Sequence, residues 1–179
     1  MSTEANADET VIDYITGKKV PNMGAEANRQ KVERFLVEEK GYAREDVDVD
    51  ADIAFTVAGV PYSSQIDLAV SVENTKFMLL RCAAGSLGSW EREILAAARI
   101  FAEYQIPISV ISDGKTAILL DTLSGKPLGK GLDAIPSKKE AMDRIKGMSF
   151  HPLPEKRKEK EKTLFRSYDS VRVNVQRNG

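Results

Sequence analysis

Residues 77–84 read Phe-Met-Leu-Leu-Arg-Cys-Ala-Ala, an apolar run with no polar alternation. A strand with one wet face alternates apolar and polar side chains, so an unbroken run predicts a central strand covered on both faces. Such a strand needs paired neighbours on each side and packed layers above and below, which is an α/β architecture. Arg81 is the one charge in the run, and a guanidinium at a buried position demands an acid. The preceding segment, Ile66–Val72, alternates Ile66, Leu68, Val70 and Val72 with Asp67, Ala69 and Ser71. With Glu-Asn-Thr-Lys as a hairpin turn, the register brings Asp67 to the face of Arg81 and Ala83.

The flanking segments supply the remaining layers. Val32, Phe35 and Leu36 recur at helical spacing between Ala25 and Lys40, with Gly41 as a C-cap. Residues 47–50 and 53–57 read as short strand segments, Ile53, Phe55 and Val57 sharing a face, and Gly59 and Pro61 make a turn. After Gly85, Ser89 caps a helix in which Ile94, Ala97, Ala98 and Phe101 form a stripe. Glu91 and Glu93 in its first turn complement the helix dipole. Residues 106–112 and 116–121 form a hairpin about Asp113-Gly114. Residues 122–131 read as loop, and Ser137 with Glu140 is a capping box opening a short helix to Lys146. The charge run 155–162 has the pattern of a solvated helix face, with phosphate contact left open, and Ser-Val-Arg-Val-Asn-Val-Gln near the end reads as a strand. The expected organisation is a flexible tail (1–20), an α/β domain (21–147) built on a mixed sheet flanked by helices, and a charged appendage (148–179).

Hydrophobic residues make up 42% of 179, enough for one domain with a substantial core. Lys plus Arg number 26 against 27 Asp plus Glu, so nucleic-acid binding has to come from a local patch and be weak. A protein partner is the other expectation, a membrane is not, and the single cysteine fits a reducing cytoplasm. Cys82 lies mid-strand as core, and His151, the one histidine, sits in a linker. Gly114-Lys115-Thr116 ends like a phosphate loop, but Ser109 stands where its first glycine belongs and a strand follows instead of a helix.

The segments Glu26–Tyr42, Ile66–Val70, Leu79–Ser86 and Tyr104–Gly114 together resemble the N-terminal nuclease domain of type I restriction enzyme R subunits. That resemblance implies the restriction-endonuclease-like, PD-(D/E)xK fold over residues 25–125. It implies that Glu26 and Arg29 match the opening helical Glu and Arg, that Asp67 matches the strand acid, and that Ser112-Asp113-Gly114 matches a Thr-Asn-Gly turn. In the family two carboxylates hold Mg²⁺, which polarises the scissile phosphate, and a lysine two residues beyond the second acid stabilises developing charge.

The chain departs from that pattern where chemistry is concentrated. Arg81 stands in place of the second acid and Ala83 in place of the lysine, and Ala97 and Phe101 replace a Gln-x-x-x-Tyr pair. The expectation is a degenerate site formed by Asp67, Glu26 and Arg81, with Arg29, Lys76 and Glu91 as further binding residues and no cofactor. Arg81 would then take the place of the metal, facing Asp67. The alternative is a Mg²⁺-dependent endonuclease whose ligands are Asp67 with Glu91 or Glu26, and whose cation is Lys76 or Arg81. A third reading is a protein-interaction module.

Overall fold

The computed structural model describes residues 9–177, with side chains described for 9–170. A hairpin of β1 (Thr10–Ile12) and β2 (Lys19–Pro21) leads into α1 (Glu26–Glu38). Then come β3 (Val47–Val57), β4 (Val60–Val72), β5 (Thr75–Cys82), α2 (Glu91–Ile100), β6 (Ile108–Ser112), β7 (Ala117–Asp121) and β8 (Pro127–Lys130), followed by α3 (Lys138–Lys146) and α4 (Glu155–Arg177). Strands β3 to β8 form one six-stranded sheet in chain order. Every neighbouring pair is antiparallel except β5–β6, where α2 carries the chain across. The expected α/β fold, with a mixed central sheet flanked by helices, is the one adopted.

β5 is the central strand that its composition demands, with Phe77 to Cys82 all buried. Its side chains divide between two cores. Met78, Leu80 and Cys82 pack with Val32 and Leu36 of α1 and Ala141 of α3. Leu79 and Ala83 pack with Ile94, Ala97 and Ala98 of α2 and Phe165 of α4. Full burial of each large aliphatic side chain contributes on the order of 1.5–3 kcal/mol. The β3–β4 and β4–β5 hairpins turn through two residues at positive φ, Ala58-Gly59 and Glu73-Asn74, whose twist matches that of the strands.

Five expectations need correction. The two segments at 47–57 are a single strand, continuous through Asp50 at φ 51°. β8 lies within the expected 122–131 loop; it is an edge strand carrying Pro127, a position where a missing N–H costs the sheet nothing. Residues 171–177 continue α4, because twenty-three residues of unbroken helix override the local β-propensity of the valines. Nor is the C-terminal segment an appendage, since Leu153, Phe165 and Asp169 are buried and α4 packs on α2 and β3. The tail expected over residues 1–20 is a hairpin from Thr10, with Asp13 buried against α1, and residues 1–8 lie outside the described residues. No helix among the described residues is long and apolar enough to cross a membrane.

Candidate functional site

β4 and β5 come apart beyond the Leu68–Leu80 pair, and the next positions in register are Asp67 and Arg81. The freed Cys82 N–H donates to Asp67 Oδ2 at 2.7 Å, and Arg81 Nη1 lies 3.3 Å from Asp67 Oδ1. Arg81 also reaches the other way: its Nη2 donates to Glu93 Oε1 at 2.7 Å, from the first turn of α2. Side-chain exposure is 5% for Arg81 and 3% for Glu93, against 23% for Asp67. The guanidinium therefore bridges a sealed acid and a partly wet one, while its Nε has no acceptor.

A second arginine organises the opposite face of the sheet. In α1, Arg29, Val32, Glu33 and Leu36 share the buried stripe, so two charges occupy positions that apolar side chains usually fill. Arg29 Nη2 lies 2.9 Å from Glu26 Oε2, its Nη1 donates to Asp50 Oδ1 at 2.6 Å, and Asp13 and Glu33 stand at 3.8 and 3.7 Å. The left-handed backbone at Asp50 is what turns that carboxylate out of the regular strand alternation towards α1. Burial works against the charge on Arg29, but Asp50 and Glu26 more than offset it and raise its pKa. Burial, with the charge of Asp13 beside it, pushes Glu33 up to about 8, so Glu33 is the protonated member of the pair at neutral pH. Burial would also raise Asp13, yet hydrogen bonds from Thr16 and Gln30 hold it below the ordinary value.

The turn after β6 is structural. Asp113 Oδ1 accepts from the Lys115 and Thr116 amides at 2.9 Å each, and the Thr116 bond lowers its pKa. Gly114, at φ +82°, lies so close to α1 that a Cβ would come within 2.8 Å of Lys31 Cβ. Asn28, one turn away, donates to Ala83 O at 2.9 Å and ties α1 to the end of β5.

The anticipated residues thus separate. Asp67 and Arg81 are in contact, and Glu26 and Arg29 are in contact, but in a second cluster. Lys76 sits at the far end of β5 on Asp48 and Ser71, about 16 Å along the strand from Arg81 by the usual rise, so it does not join the site. Glu91 makes no ion pair among the described residues; Glu93, two positions on, is the acid that α2 delivers. Ala97 is core and Phe101 packs against it, leaving no polar pair on the crossover helix. Cys82 is buried, which raises its pKa and keeps the thiol neutral and unreactive. Sequence reasoning missed Asp13, Glu33, Asp50 and Glu93, and the available signals were charge at the buried positions of α1 and Arg81 within an apolar run.

The donor set does not suit Mg²⁺. Among the described residues no three His, Cys, Asp or Glu side chains are grouped as a metal site requires. A divalent ion at Asp67 would also stand roughly 4 Å from the Arg81 charge, a repulsion of about 8 kcal/mol at an effective dielectric of about 20. What the arrangement does chemically is neutralise carboxylates with fixed guanidinium groups.

Comparison with curated proteins and with solved structures finds no match. Residues 24–136, well over half the chain and all of the sheet with α1 and α2, match the family described as Type I restriction enzyme R protein N terminus (HSDR_N), and the chain belongs to that family.

Proposed function

We propose that this chain is a nuclease-fold domain that has given up strand cleavage and serves as a binding module with weak affinity for nucleic acid. The observation that carries the reading is the position of Arg81 between Asp67 and Glu93, where it supplies the positive charge that a metal would otherwise bring. A guanidinium neutralises a carboxylate as a planar hydrogen-bond donor. It cannot present an activated water or accept a phosphoryl oxygen into a coordination sphere, so the charge is retained and the Lewis acidity is lost. Ala83, buried in the α2-side core, adds no cation for a developing phosphorane.

The test is incubation of the chain with supercoiled, linear and single-stranded DNA in Mg²⁺ and, separately, Mn²⁺. Intact substrates are expected in every case. Cleavage that disappears in Asp67→Ala would show that the acid still works with a metal and would overturn the reading.

A further inference from the structure

We propose that nucleic acid meets this domain at the outward face of α4, through Lys156, Arg157 and Lys160, and not at the site around Asp67. The proposal rests on the nucleic-acid-binding reading above, but the surface is read from α4 itself. The inner face of the helix is pinned to the body. Phe165 is fully buried, Glu161 accepts from Arg99 Nη1 at 2.8 Å, Lys162 Nζ donates to Thr56 O at 3.1 Å, and Tyr62 hydrogen-bonds Asp169. Those anchors leave Lys156, Arg157, Lys160, Thr163 and Ser167 exposed on the far side.

The pairing of charges along the helix is asymmetric. Glu155 pairs with Lys158 at 3.2 Å, Glu159 with Lys162 at 3.1 Å, and Glu161 turns inward to Arg99. Each acid of this stretch is thereby engaged, whereas Lys156, Arg157 and Lys160 have no hydrogen bond or ion pair among the described residues. Three uncompensated cations remain on a helix fixed in place. Lys156 and Lys160 are about 6 Å apart along the axis, and duplex DNA offers a negative charge every ~1.7 Å of its own axis, so such a face can meet several phosphates.

The two arginine clusters have the opposite character. Asp13, Glu26 and Asp50 lie about Arg29 and Asp67 and Glu93 about Arg81, and Asp50 and Asp67 are the most exposed of these acids. With each guanidinium already engaged by two or more acids, a phosphate approaching either cluster meets net negative charge. α4 also lies beyond residues 24–136, outside the stretch that matches the family.

Three phosphate contacts give a salt slope of about −2.7, or roughly a 40-fold loss of affinity between 50 and 200 mM salt. The experiment is fluorescence anisotropy of a labelled 20-base-pair duplex titrated with the full chain across that range. It is run on wild type, on K156E/R157E/K160E, and on K31E/K115E, two exposed cations beside α1 and the β6–β7 turn. Circular dichroism checks folding, and single changes to Gln at 156 and 160, each expected to shallow the slope by about 0.9, provide a milder series. The expected result is loss of at least 30-fold at 50 mM salt in the triple variant and less than 3-fold in the double. Equal binding by the triple variant, greater loss in the double, or a wild-type chain that binds an acidic polypeptide but ignores the duplex would overturn the proposal. Those results leave the loss of cleavage standing, because α4 takes no part in it; Mg²⁺-dependent cleavage sinks that reading separately.

Discussion

Removing the Arg81 guanidinium should destabilise the fold far more than removing an exposed charge. In Arg81→Met the apolar stem is kept, so the change isolates the charge and its hydrogen bonds. Glu93, almost fully buried, loses the guanidinium that it binds at 2.7 Å. Removing one member of a buried pair in this way costs about 3–5 kcal/mol, because the other charge stays buried after its partner is gone. Asp67 adds little to that sum, since it keeps the Cys82 amide and its access to solvent. Urea denaturation followed by circular dichroism reads the loss. With a slope of about 2 kcal/mol per molar, the midpoint should fall by ~2 M at unchanged slope. The paired variant Arg81→Met/Glu93→Leu removes both charges, together with an Nε that already lacks an acceptor. It should return to within about 1 kcal/mol of wild type, or exceed it. A loss below 1 kcal/mol in Arg81→Met, or a double variant no more stable than the single, would refute the argument that the pair is buried and mutually dependent.

Two further outcomes follow from the α1 side. Glu33 holds its proton to about pH 8 in the folded chain and releases it near 4.5 when unfolded, so the native state binds the extra proton between those values. Stability should therefore fall as pH rises through that window, by at most about 1.4 kcal/mol per pH unit, and level off above it; Glu33→Gln should flatten the profile in urea melts from pH 5 to 9, and an unchanged slope in that variant would rule Glu33 out. Gly114→Ala combines a positive φ with a Cβ placed 2.8 Å from Lys31 Cβ and 3.1 Å from Asn28 O, so it should cost about 1–3 kcal/mol in the same assay, and a loss within 0.5 kcal/mol would mean that the turn moves freely off α1.

The framework was legible because apolar pattern dictates it. The run at β5 forces a central strand, the alternation in β4 fixes which face Asp67 takes, and Ser137 with Glu140 opens α3 as a reciprocal cap. β8 was hidden because a strand of Pro, Leu, Gly and Lys carries no alternation and is held by pairing with β7. The site was half legible for a different reason. Hydrophobic periodicity finds stripes by their apolar members, and here the stripes carry charge: Arg29 and Glu33 in α1, Glu93 in α2 and Arg81 in β5 are all buried. Glu93 reads from sequence as a helix-dipole partner, and only the rotation of α2 against β5 shows that it faces inward. Asp50 gives no warning, since its left-handed backbone occurs within a strand and without a glycine. Asp13 gives none either, because its hairpin reaches α1 through polar contacts of Asp13 itself, Tyr14 and Ile15. What the sequence does announce is the need for such acids. Arg81 in an apolar run and Arg29 three residues before Val32 are cations at core positions, and each requires carboxylates within reach. Those partners come from segments distant in sequence, so the demand is local and its satisfaction is tertiary. The same logic separates two parts of the domain's chemistry: beside Asp67 the Arg81 guanidinium is engaged by acids, whereas on α4, where the acids pair along the helix or turn inward, Lys156, Arg157 and Lys160 stay available on the outward face.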